Sequence, residues 1–175
     1  MGAAFAAACV PAAALAKPGM TWPAAQAWLQ ANPAVVRGSV RRESAGGEGN
    51  GGGRARVLAG SLAWIFLAPF GPEGRVSSES YLPEAGAAPI ANIPAVRGLL
   101  AAMYGPDVER DFARARLVAS VPTYGSSVVL HFYQTPGAPF GFELDTQQLT
   151  VYSAADLAAV IKEAIRCAKT PECGE

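Results

Sequence analysis

The clearest alternation of apolar and polar positions lies in the last third of the chain. Val128, Val129, Leu130, Phe132 and Tyr133 are strand formers, and Phe140, Phe142 and Leu144 alternate with smaller or charged residues. Between them, Thr135-Pro136-Gly137-Ala138-Pro139 cannot continue a ladder, because proline has no N–H to donate, so the segment predicts a β-hairpin. Successive strand side chains point to opposite faces, which puts Phe140, Phe142 and Leu144 inward and Glu143 and Asp145 outward. From Ser153 the period changes to 3.6: Leu157, Val160, Ile161, Ala164, Ile165 and Ala168 form one stripe. Ser153 is placed to cap this helix, with Asp156 near the positive end of its dipole. Burial of such a stripe contributes roughly 1.5–3 kcal/mol per large aliphatic side chain, enough to hold the helix against the hairpin.

The remaining elements follow from the same two periods. Thr21 to Asn32 reads as a short helix with Pro23 in its first turn and Trp22, Ala25 and Leu29 on one side. Val35 to Glu43 reads as a strand that grows basic toward its end, followed by a flexible glycine-rich loop over 45–53. Leu62 to Ala68 lacks polar alternation and predicts a central strand buried on both faces. Arg75 to Leu82 alternates more gently and suits a position nearer a sheet edge. Pro83 to Pro94 is linker-like and leads into a helix, Pro94 to Tyr104, with Val96, Leu99, Leu100, Met103 and Tyr104 as its apolar stripe. Gly105-Pro106-Asp107 stops that helix and starts a helical turn through Phe112, and Ala115 to Pro122 predicts a strand.

The implied class is α+β: a predominantly antiparallel sheet with about three α-helices packed on one face, in the order αβββ-αβββ-α. "PAVVRG" at Pro33 is echoed by "PAVRG" at Pro94, but the two copies fall on a strand and a helix, so no duplication is inferred.

Composition changes this picture at the N-terminus. Residues 1–16, "MGAAFAAACVPAAALA", carry no charge and are almost wholly apolar, shorter than the about 20 residues a membrane span needs. They have the length of a signal-peptide core, and Ala14-Leu15-Ala16 before Lys17 has the small-x-small cleavage pattern, although a basic n-region is missing. The expectation is a signal peptide at 1–16 and a single periplasmic or extracellular domain at 17–175, with no membrane span after its removal. Cleavage would remove Cys9 and leave Cys167 and Cys173 as an even pair, expected to form a structural disulfide in an oxidising compartment. A pair spaced C-x5-C with one distant histidine does not make a metal site, and no cofactor is implied.

Charge balances at 14 basic against 14 acidic residues, which excludes the footprint of a general nucleic-acid binder. No catalytic or ligand-binding motif is recognisable. Gly47 to Gly52 matches G-x-G-x-x-G, yet it lies between two strands and opens no helix, so it cannot cradle a pyrophosphate. The single histidine, His131, has Glu143 on the neighbouring strand as its natural acid partner, and Glu143 and Asp145 are spaced at roughly 7 Å along one strand face. These define one expectation, a small secreted hydrolase using His131 with Glu143 or Asp145. The preferred expectation is an exported, non-catalytic binding or protein-interaction domain. Its ligand, a protein or a small molecule, would meet Arg37, Arg41, Arg42, Arg54 and Arg56, with exposed aromatics such as Tyr81 or Tyr133.

Overall fold

The computed structural model describes residues 18–32, 36–44, 51–59, 62–71, 74–84 and 93–170. The expected leader, residues 45–50 of the glycine-rich stretch, the crossover at 85–92 and Cys173 lie outside the described residues. In chain order the elements are α1 (Trp22–Gln30), β1 (Val36–Ser44), β2 (Gly51–Ala59), β3 (Leu62–Pro69), β4 (Ser78–Pro83), α2 (Ile93–Tyr104), α3 (Pro106–Arg114), β5 (Arg116–Pro122), β6 (Val129–Gln134), β7 (Phe140–Leu144), β8 (Leu149–Ser153) and α4 (Ala154–Cys167). The fold is α+β, as the periodicities predict. All eight strands form one antiparallel sheet in the order β1-β2-β3-β4-β8-β7-β6-β5. Two meanders of four strands are thus joined through their last strands, β4 and β8.

Three helices cover one face. Trp22, Ala25 and Leu29 of α1, the α2 stripe Val96, Leu99, Leu100, Met103 and Tyr104, and Val108 and Phe112 of α3 are buried against Val57, Trp64, Phe66, Tyr81, Phe142, Leu149 and Val151. The fourth helix lies on the opposite face, a correction to the expected one-sided packing. Leu157 of α4 joins Val121 of β5 and Phe132 of β6 in a separate cluster, with Leu130, Tyr152, Val160 and Ile161 packed on it. Adjacent residues show the two-sidedness directly: Val151 belongs to the first cluster and Tyr152 to the second. The predicted cap holds, since the Asp156 amide donates to Ser153 Oγ at 3.2 Å and the Ser153 hydroxyl donates to the Asp156 carboxylate at 2.6 Å. The stripe is narrower than expected: Ile165 is 43% exposed.

Four further departures have physical reasons. β2 begins at Gly51, inside the segment read as a flexible loop over 45–53. Its small residues are needed there, because a Cβ on Gly53 would overlap the Trp22 ring. β8 is a strand the periodicities do not predict, because its five residues are squeezed between a turn and a helix cap. The segment assigned to an edge, β4, is central, pairing with β3 and β8. Finally, β3 is fully buried on one face only: Trp64, Phe66 and Ala68 are buried, whereas Ile65 and Leu67 are half-buried.

Candidate functional site

The second face of the first meander has no helix over it among the described residues, and there the arginines converge. The cross-strand register places Arg37 opposite Arg56 and Arg41 opposite Arg54. Arg56 then pairs with Ile65 and Arg54 with Leu67 on β3. Because pleat alternation keeps cross-strand partners on one side, the open face carries two rows, Arg37-Arg56-Ile65-Leu82 and Arg41-Arg54-Leu67-Ser80. A bulge in β1 makes this possible. Residues 38–40 stand against Ala55 alone, and Gly38 takes φ +76°, a left-handed conformation that favours glycine.

Arg37, Gly38, Arg41, Arg54, Ala55, Arg56, Ile65 and Glu84 line a depression of about 430 Å³ on this face. Among the described residues that line it, four are arginines and one, Glu84, is a carboxylate. Glu84 forms a two-pronged pair with Arg56, through Nε to Oε1 and through Nη2 to Oε2 at 2.9 Å. That hydrogen bond and charge hold the Glu84 carboxyl below the usual glutamate range and the Arg56 guanidinium above its own. Like charges placed directly opposite one another across a ladder are unfavourable in themselves. The half-buried Ile65 and Leu67 stand opposite Arg56 and Arg54 on β3 and offer apolar surface of the kind that arginine stems cover. Farther along the sheet the face turns polar, where Ser80 Oγ lies 3.2 Å from Thr150 Oγ1 and Gln148 Nε2 donates to Thr150 Oγ1 at 2.7 Å.

Of the residues singled out in the sequence, Arg37, Arg41, Arg54 and Arg56 are brought together. Arg42 lies in β1 opposite Gly53, and its side chain is outside the described residues. Tyr81, expected as an exposed contact aromatic, is fully buried, and Tyr133 is half-buried against the core and Phe112.

The histidine and its expected acid partner are not brought together. His131 pairs with Leu144 and Glu143 with Phe132, so His131 and Glu143 point to opposite faces. His131 Nδ1 lies 3.0 Å from Ser120 Oγ. Glu143 accepts a hydrogen bond from the Tyr152 hydroxyl at 2.8 Å. Asp145 falls beyond β7, where its Oδ1 accepts from the amides of Gln147 and Gln148 and so shapes the β7–β8 turn. Cys167 ends α4, and its expected partner Cys173 lies outside the described residues.

One polar cluster is not predicted by the sequence pattern. Glu79 is fully buried under the helices, and its Oε2 accepts from the hydroxyls of Tyr81, at 3.2 Å, and Tyr104, which also bond each other. Burial, then the Glu79 charge and hydrogen bond, push the Tyr81 phenol well above its ordinary value and keep it a donor. The alternation of β4 already set Glu79 and Tyr81 on one side; what it could not reveal was that α2 supplies Tyr104 to meet them. No group of three or more metal-ligating side chains occurs among the described residues, and no described helix is long and apolar enough to cross a membrane. Compared with family models, curated proteins and solved structures, the chain matches none.

Proposed function

We propose that the chain is an exported, non-catalytic binding domain whose ligand is anionic and sits on the open face of β1 and β2. The observation that carries this reading is the register that sets Arg37 against Arg56 and Arg41 against Arg54 along one depression. Arginine suits the task, because its planar fork stays charged and meets carboxylate or phosphate through two parallel hydrogen bonds. The depression falls within the roughly 300–1,000 Å³ range of ligand sites. Export rests on the uncharged apolar opening and the small-x-small triplet before Lys17.

Titration with poly-L-glutamate, with poly-L-lysine as the control, tests the binding reading. The polyanion should bind, with affinity falling as salt rises and at least tenfold weaker in the Arg41→Glu, Arg54→Glu double variant. Absence of binding to the polyanion at low salt, or binding indifferent to the double variant, overturns it. For export, mass spectrometry of protein from its native cell should find an N-terminus at Lys17, and an intact Met1 on cytosolic protein would count against it.

A further inference from the structure

We infer that the anion is not a compact one but an extended acidic segment of a partner protein, which adds to the sheet as a strand beside β1. This rests on the anionic-ligand reading above.

Three observations on β1 lead there. First, β1 is the outermost strand of the sheet, and among the described residues it pairs with β2 alone, so on either side of the bulge at 38–40 its outer backbone N–H and C=O groups face away from β2. Second, the bulge at Gly38 brings Arg37 and Arg41 into step with Arg56 and Arg54, two positions apart on β2. Their pitch is therefore that of alternate strand residues, roughly 7 Å. An added strand repeats at the same pitch. Acidic residues at its positions i and i+2 would stand opposite Arg37 and Arg41 as opposite-charge cross-strand pairs. Third, the first half of β1 turns apolar residues to its other face: Val36 is buried and Val40 packs against the main core. The residue between two acids would point to that side, so an apolar side chain belongs there.

The segment recognised is thus acid–apolar–acid in an extended conformation. Main-chain hydrogen bonds would supply affinity and the alternate side chains the selectivity. Neither citrate nor inorganic phosphate has the repeat, and an oligonucleotide has the charge without the amides.

Fluorescence anisotropy with the full chain tests this, using a labelled Thr-Glu-Val-Glu-Val-Glu-Thr peptide. The comparison probes are Thr-Val-Glu-Glu-Glu-Val-Thr, the alternating peptide N-methylated on every second amide, and oligo-deoxythymidylate. The alternating peptide should bind at least tenfold tighter than each comparison and should protect β1 amides from hydrogen exchange. Arg37→Glu and Arg41→Glu should each weaken it at least tenfold, and the gentler Arg37→Gln should weaken it with the circular dichroism spectrum unchanged, which separates lost charge from lost fold. Equal binding of the two glutamate peptides, still sensitive to the arginines, would overturn strand addition and leave the anionic reading standing. Preference for the oligonucleotide would overturn a protein partner, and failure of every anion to bind would overturn both readings.

Discussion

Two glutamates, Glu79 on β4 and Glu143 on β7, flank β8 and meet tyrosine hydroxyls on opposite faces of the sheet. Burial holds the Glu143 carboxyl above its ordinary value of 4.5 against the opposing pull of the Tyr152 hydrogen bond, and the Asp145 charge adds to the rise. Because the folded chain then keeps this proton more tightly than the unfolded one, the stabilisation is complete below the unfolded value and is lost as pH rises through the folded value. Glu143→Gln keeps an acceptor for Tyr152 and removes the titration. Its denaturation midpoint should match the wild type below about pH 4 and exceed it at neutral pH, the gap opening above 4.5. A gap that is constant with pH, measured by urea unfolding, would count against burial as the cause. The same burial explains what alternation could not convey: a strand reading "SSESYL" looks solvent-facing until the phenols of Tyr81 and Tyr104 are seen to meet one oxygen of its carboxylate.

Elements with one dominant period were legible, and those built from small residues were not. The five positions of the α2 stripe, spaced at three and four, are all buried. By contrast β2, "GGGRARVLA", offers little strand propensity, although from Gly53 to Val57 its burial alternates faithfully between buried small or apolar residues and exposed arginines. Its glycine has a packing role, since α1 begins on top of it and the Trp22 ring sits tilted against Phe70 with centroids 5.0 Å apart. Gly53→Ala should therefore force the indole aside and destabilise the fold by about 1–3 kcal/mol. Gly137→Ala, at a positive-φ turn with open space, serves as the contrast: its penalty comes from backbone strain alone, so tryptophan fluorescence should stay unchanged there and shift only in the Gly53 variant. The candidate site was legible as a cluster of arginines, but not as a site. Convergence required the β1–β2 register and the Gly38 bulge, and neither leaves a mark in local composition.

For the molecule as a whole, the two clusters on opposite sides of one sheet divide the work unevenly. The larger runs under α1, α2 and α3 across both meanders, and the smaller lies under α4 alone. Native-state hydrogen exchange should follow this division. Amides of β4 and β8, central in the ladder and backed by the larger cluster, should exchange slowest, and those of β5, with Leu117 53% and Val118 49% exposed, much faster. Uniform protection across the eight strands would mean that the sheet opens as one unit. That the chain would make a mainly antiparallel sheet was readable from its runs of strands between helices. The joining of the halves was not, because it depends on which strand ends up beside β4.

That join has a bearing on how the polypeptide is made. Ser80 and Thr150, side by side across it, are seventy positions apart, so a nascent chain leaving the ribosome completes its first meander long before the matching strand emerges. Throughout that interval the inner border of β4 is a bare template, open to the β8 of a neighbouring copy as readily as to its own. Slow translation would therefore favour strand-exchanged dimers.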